Sequence, residues 1–231
     1  MTARGRPEIH YTRLYRALRR WQADGCIDRV FAGSVRKLHV DGRFDLSVMH
    51  GDGTTMAANK SGDNPGYSGH KHLKGTKIVA FCGRHRNVIA PSIAAAGQRN
   101  PSPLLRDAPP KLNEMARAIG MALRGSTVSL DGAVGLDGVY DYRANRRAIF
   151  NWNMRPNIPE SRRDRETPKR RRRWHFDAAI FEERFRTIER VFAREDKFRR
   201  LLLRFEWISQ VHYAFRTLAH TLINLRHYCR S

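Results

Sequence analysis

Three carboxylates in this chain stand at positions where the local pattern gives a negative charge an unusual setting. The sequence has 44 Lys and Arg but only 22 Asp and Glu, so acids are scarce and the formal net charge is +22. Carboxylate oxygens held on rigid elements are the ligands that Mg²⁺ prefers, and paired divalent ions use them in phosphodiester chemistry. The candidates are Asp52, Asp137 and Glu189.

Asp52 belongs to a segment in which apolar and polar residues alternate from about residue 44. Successive side chains of a strand point to opposite faces, so even spacing puts Asp52 on the face of the apolar residues Phe44, Leu46 and Val48. The alternative is a turn aspartate, because Asp-Gly is a common turn dipeptide.

Asp137 follows Leu136 at the end of a short predicted strand and stands just before Gly138. A turn or a helix cap is the competing interpretation. Asp131 is a rival for the same role, since Leu-Asp-Gly occurs twice in close succession, at 130–132 and at 136–138.

Glu189 lies on a predicted helix, at the border of the apolar stripe that contains Phe185, Ile188 and Phe192. That position would direct it toward a sheet. A solvated ion pair with Arg186 or Arg190 is the ordinary alternative for a helical glutamate.

The basic excess points to a polyanionic partner, DNA or RNA. Eight Lys or Arg fall within 161–173, a composition typical of an exposed loop. Five of them are consecutive and are predicted to contact phosphates without reading sequence: Lys169, Arg170, Arg171, Arg172 and Arg173.

The elements that must position these residues follow from hydrophobic periodicity. Helical spacing predicts a helix over 11–21, then a short apolar patch at 27–31 and a polar connection. The pattern then predicts a strand from about 44, a hairpin of 77–81 with 87–90, a helix opened by Pro109 and closed by Gly125, and strands at 127–130 and 136–140. A helix capped by Asp141 and long helices with stripes over 181–192 and 211–225 complete an α/β chain, a mixed sheet flanked by helices.

The sequence does not have the pattern of a membrane-spanning protein or of a disulfide-stabilised protein. No stretch approaches the roughly 18 uncharged apolar residues of a membrane span, and the first residues lack a signal-peptide core, so a cytoplasmic protein is expected. Cys26, Cys82 and Cys229 are isolated and odd in number, which predicts free thiols.

Four segments in order resemble the DDE transposases of bacterial insertion sequences. They are HGDGTTMAANK (50–60), GYSGHKHLKGTKIVA (66–80), LDGVYDYRANRRAIFN (136–151) and FRTIERVFAREDKFRRLLLRFE (185–206). The resemblance spans about 44–229. It implies a ribonuclease-H-like fold in which Asp52, Asp137 and Glu189 are the catalytic, metal-binding carboxylates.

The same resemblance implies Mg²⁺, replaceable by Mn²⁺, as cofactor, and DNA cleavage and strand transfer as activity. Partners would be the terminal inverted repeats of a transposable element and target DNA, bound by a homodimer on paired ends. Arg186, Arg190 and Lys197 would bind phosphates near the site.

Residues 1–43 are interpreted as an N-terminal helical segment, a shortened DNA-end-binding region, and 44–231 as the catalytic domain with its basic loop. Two alternatives remain open: a catalytically inactive DNA-binding remnant of a transposase, and an unrelated RNA-binding protein.

Overall fold

The computed structural model describes residues 9–59, 62–69, 72–131, 140–160, 174–226 and 228. Along this part of the chain, the helices and strands follow one another in the order α1 Tyr11–Ala23, α2 Cys26–Val40, β1 Val48–Ala57, β2 Gly66–Ser68, β3 Leu73–Gly83, β4 Ile93–Ala96, α3 Pro101–Arg106, α4 Ala108–Ile119, β5 Thr127–Leu130, α5 Arg143–Asn151, β6 Arg155–Asn157, α6 Ala178–Arg186, α7 Ile188–Glu195, a 3₁₀ turn Arg199–Leu201, and α8 Ser209–Leu225.

One mixed sheet organises these elements, with strand order β2-β3-β1-β5-β6 and β4 paired to β3. Strand β1 is antiparallel to β3 but parallel to β5, and β5 is parallel to β6. Parallel neighbours require crossover connections, which helices supply here. The predicted α/β class, a mixed sheet flanked by helices, is confirmed.

The centre of the sheet is buried on both faces. Successive residues of β3, which point to opposite faces, are all buried: Ile78, Val79, Ala80, Phe81 and Cys82. Side chains of α2, α4, α5 and α7 join these strands in the main apolar core. A strand covered on both faces is rigid, and β1, the neighbour of β3, carries Asp52.

The N-terminal segment contains two helices, where the sequence predicted one helix followed by an apolar patch and a polar connection. Helix α2 begins after Gly25, whose φ of 73° is incompatible with a right-handed helix and so separates α2 from α1. Ile27, Phe31 and Val35 recur every four residues and are buried, so the apolar patch is the first turn of a helix. A second cluster packs Leu18 of α1 against α8.

Three further predictions were wrong in their boundaries. Residues 87–90 form one isolated bridge, Val88 with Cys82, and the strands that pair with β3 are β1, β2 and β4. Helix α4 ends at Gly120, whose φ is 75°, before the predicted stop at Gly125. The first strand begins at Val48, later than residue 44.

The helices after residue 140 also differ from prediction. Asp141 does not cap α5; its carboxylate pairs with Arg146 at 2.7 Å. The 181–192 stripe is split at Thr187, so α6 and α7 are short and α8 is the long C-terminal helix. The predicted 136–140 strand lies largely outside the described residues. Within the described ranges, each helix is too short or too polar to cross a lipid bilayer.

Candidate functional site

Two aspartates meet at the level where parallel strands β1 and β5 separate. Gly51 of β1 pairs in register with Leu130, the last residue of β5, so the residues that follow them, Asp52 and Asp131, lie at the same level. Asp52 stays inside β1 and accepts a hydrogen bond from the Gly53 N–H at 2.7 Å, whereas Asp131 directly follows β5. Their side chains are 16% and 32% exposed.

Arg184 of helix α6 lies between the two carboxylates. Its Nη1 is 2.8 Å from Asp131 Oδ2 and 3.8 Å from Asp52 Oδ2. The guanidinium carbon lies 5.0 Å from the ring centre of Phe181 and 4.9 Å from that of Phe185. The closer contact makes Asp131 the ion-pair partner of Arg184, and Asp52 is compensated less.

Burial raises the pKa of Asp52 from 3.8 to about 6. The Gly53 hydrogen bond and Arg184 oppose that rise, while the negative charges of Glu189 and Asp131 add to it. Glu189 is therefore close enough to act on Asp52 through its charge.

Two neighbours of these aspartates are uncharged at neutral pH. His50 is fully buried two residues before Asp52, and burial lowers its pKa to about 4. Burial also raises the pKa of Tyr140 far above its ordinary value, with Asp52 and Asp131 contributing. Asp52 thus sits in a poorly solvated setting that favours a compensating cation.

The remaining predicted residues divide between exposed and undescribed positions. Glu189 is exposed in the first turn of α7. Three predicted phosphate-binding residues are also exposed nearby in the chain: Arg186, Arg190 and Lys197. Asp137 and the run of Lys169, Arg170, Arg171, Arg172 and Arg173 lie outside the described residues.

A divalent metal fits the donor chemistry of this site. In the described part of the chain, no three His, Cys, Asp or Glu side chains already lie together as one metal site. Asp52 nevertheless offers hard oxygens on a rigid strand, and its raised pKa is the mark of a negative charge that lacks compensation. A cation bound there would relieve it.

Arg184 is the site residue that sequence reasoning missed. It lies three residues after Phe181 and four before Ile188, so it falls on an apolar helical face, a signal the sequence does contain. Such a face shows that a charge is buried, but nothing local shows that its partners come from β1 and β5.

Comparisons with known proteins give structural likenesses only. No family model matches the chain, and no curated protein matches it. The catalytic domain of Mos1 mariner transposase is similar with a TM-score of 0.36 and 13% identity, over 86% of this chain and 93% of that one. A Mos1 paired-end complex with the left transposon end gives 0.34 and 14%, over 55% of this chain and 39% of that one, so the chain spans about two fifths of that protein. A Mos1 catalytic domain with Raltegravir and Mg gives 0.35 and 13% over 84% and 93%.

Proposed function

We propose that this protein is a DDE transposase that cleaves and joins DNA strands at the ends of an insertion sequence. The observation that carries the proposal is the placement of Asp52, an acid of raised pKa on the central strand, beside the end of the parallel strand β5 and within the electrostatic reach of Glu189. Binding proteins that merely hold a polyanion have no use for such a charge.

Asp52, Asp137 and Glu189 are the proposed metal-holding carboxylates. The resemblance of 136–151 to the family motif favours Asp137 as the second aspartate, and Asp131 is already occupied as the ion-pair partner of Arg184. Asp131 remains the alternative because it is the aspartate found beside Asp52.

Mg²⁺ or Mn²⁺, when bound, supplies activation of the attacking oxygen and stabilisation of the leaving oxygen in phosphodiester chemistry. The protein's own part is positional. The strand pairing of β1 fixes Asp52, and the hydrogen bond from the Gly53 N–H fixes the orientation of its carboxylate. Arg186, Arg190 and Lys197, all exposed, are proposed to hold the phosphates of the DNA strand against the acids.

The proposed partners are transposon-end DNA and target DNA, bound by a homodimer on paired ends. The net charge of +22 supports a DNA partner, because neutralising backbone phosphates provides sequence-independent affinity.

A DNA-binding protein without catalytic activity is the second candidate. The observation that favours it is the ion pair of Arg184 with Asp131, which places a positive charge close to Asp52. An active enzyme and a remnant differ in whether a divalent cation can still enter.

Strand cleavage tests the proposal. The full chain is incubated with Mg²⁺ or Mn²⁺ and labelled DNA carrying the sequences that flank its coding region. We expect nicking by the wild type, its loss in Asp52→Ala and in Glu189→Ala, and unchanged DNA binding in both. Glu114→Ala, which removes an exposed acid of α4, is the matched control and should nick normally. DNA binding without nicking by the wild type would reject the enzyme in favour of the second candidate.

A further inference from the structure

Arg184 is an unusually placed buried cation. The residue is only 4% exposed, and its Nε and Nη1 have no hydrogen-bond partner among the described residues. A buried guanidinium with unsatisfied donors is costly, so the nearby carboxylates must provide what compensation it receives. Among the described residues, charge attraction to Asp131 and Asp52 and contact with the rings of Phe181 and Phe185 hold it in this position.

Two other buried arginines, Arg146 and Arg204, are held by hydrogen bonds, whereas Arg216 resembles Arg184 in that its Nε and Nη1 have no hydrogen-bond partner among the described residues. Arg146 donates from Nη2 to Asp141 Oδ1 at 2.7 Å and to the Ile158 carbonyl at 2.8 Å. Arg204 donates to the Thr76 hydroxyl at 3.0 Å and to the Glu206 carbonyl at 3.1 Å. Hydrogen bonds of this kind fix both side chains, whereas the two unsatisfied nitrogens of Arg184 leave it easier to move.

We propose that Arg184, anchored by Asp131, is a built-in countercation for Asp52 that occupies the neighbourhood of the divalent metal and withdraws when the metal binds. The inference rests on the proposed function, since it concerns the same acidic site. Two like charges on adjacent strands repel, and a cation between them removes that repulsion in the metal-free protein.

The surroundings give the guanidinium a place to go. The rings of Phe181 and Phe185 lie within 5.0 Å of its central carbon, and Phe185 is 57% exposed. An arginine that leaves the carboxylates can remain over these aromatic faces, with its head closer to water. A bound metal would therefore replace Arg184 beside Asp52 while the guanidinium keeps its contact with the two aromatic rings.

Metal affinity is the direct test. Mn²⁺ binding to the full chain is titrated by electron paramagnetic resonance of free Mn²⁺. We expect Arg184→Gln to bind about tenfold more tightly than wild type, the factor that applies if Arg184 stays beside Asp52 in about nine of ten molecules. Arg117→Gln, which removes an exposed charge from α4, is the control for net charge and should leave the affinity unchanged.

A measurement on the unmodified protein covers the case in which Arg184→Gln does not fold. In ¹⁵N NMR spectra, the Nε–H resonance of Arg184 should shift as Mg²⁺ is added, while that of Arg146 should stay in place. Equal or weaker Mn²⁺ binding by folded Arg184→Gln, or an unmoved Arg184 resonance at saturating Mg²⁺, would overturn the inference.

The outcomes separate this inference from the proposed function. A wild type that binds no Mn²⁺ overturns both the countercation role and the metal site on which the function depends. Tighter binding by Arg184→Gln without nicking by either protein supports the countercation role and contradicts the enzyme. DNA nicking together with an unchanged Mn²⁺ affinity of Arg184→Gln supports the enzyme and contradicts the countercation role.

Discussion

Asp52 and Asp131 occupy equivalent levels of two parallel strands, with the guanidinium of Arg184 at 3.8 Å from the first and 2.8 Å from the second. The pairing of Gly51 with Leu130 produces this arrangement, so it is a property of the sheet. The end of β5 is thereby the place at which a second aspartate lies beside Asp52.

The choice between the two candidate second aspartates is testable by substitution. We expect Asp137→Ala to abolish nicking, because Asp137 matches the family motif, and Asp131→Ala to retain it, because Asp131 pairs with Arg184. DNA retention in a gel-shift assay verifies that each variant still binds. Loss in Asp131→Ala with retention in Asp137→Ala would transfer the role to Asp131.

The raised pKa of Asp52 predicts a pH-dependent stability. An acid whose pKa is about 6 in the folded state and 3.8 when unfolded binds protons more strongly in the folded protein. Its contribution to stability is present below about pH 4 and is lost as the pH rises through about 6. Asp52→Asn should therefore gain stability relative to wild type between about pH 4 and pH 7, by at most about 3 kcal/mol.

Urea unfolding of wild type and Asp52→Asn at about pH 4 and about pH 7, in buffer that contains a metal chelator, measures the gain in stability. Glu114→Gln, which alters an exposed acid, should show no comparable pH dependence. An Asp52→Asn difference that is the same at both pH values would mean that Asp52 titrates as a solvated carboxyl.

The buried ion pair of Glu195 with Arg216 predicts a large loss of stability on substitution. The two side chains are 3% and 2% exposed and lie 2.8 Å apart, with His220 Nε2 at 3.4 Å from Glu195. Burial alone would raise the pKa of Glu195, but Arg216 and the hydrogen bond with His220 lower it to about 2. Glu195→Ala leaves a buried charge unpaired and should cost about 3 to 5 kcal/mol in denaturant unfolding.

An exposed pair in the same protein provides the comparison for that loss. Lys37 and Asp41 lie 2.7 Å apart one helical turn from each other, and the Lys37 side chain is 59% exposed. Lys37→Gln should cost less than about 1 kcal/mol. Similar losses in Glu195→Ala and Lys37→Gln would show that burial adds nothing to the first pair.

Close packing at Gly51 predicts that a single methyl group disturbs the site. A Cβ at Gly51 would lie 2.5 Å from Phe81 and 2.7 Å from Leu130, the residue whose pairing aligns the two aspartates. Gly51→Ala should lose about 1 to 3 kcal/mol of unfolding free energy. Gly33→Ala, in open space on α2, should gain about 0.5 to 1 kcal/mol, and a loss there as well would point to a general sensitivity to alanine.

The five consecutive basic residues predict an affinity for DNA that falls as the salt concentration rises. Replacing Lys169, Arg170, Arg171, Arg172 and Arg173 by Gln should lower the slope of log affinity against log salt by up to about 4.5, if all five contact phosphates. Fluorescence anisotropy with a duplex at several salt concentrations gives the slope. Replacing three exposed arginines elsewhere, Arg99, Arg106 and Arg117, should change the slope less per substituted residue, and an equal change per residue would assign the effect to net charge.

Hydrophobic periodicity was sufficient to predict an element whose buried and exposed positions follow its own helical or strand period. The stripe of the final helix correctly predicted α8, and the alternation before residue 52 correctly predicted β1. Periodicity failed where contacts with residues distant in sequence decide the secondary structure. The apolar patch at 27–31 belongs to helix α2, which α8 and the sheet cover. The stripe through Thr187 forms two helices, α6 and α7.

The sequence by itself determined the strong positive charge, the α/β class and the scarcity of acids that marked Asp52 and Glu189 as candidates. Tertiary structure alone decided that β5 lies parallel to β1 in the register that places Asp131 beside Asp52, and that Arg184 enters from α6. Register between strands distant in sequence depends on the packing of both faces of the sheet, and the partner of a buried charge depends on which elements that packing brings together. Neither is encoded in the spacing of residues along one segment.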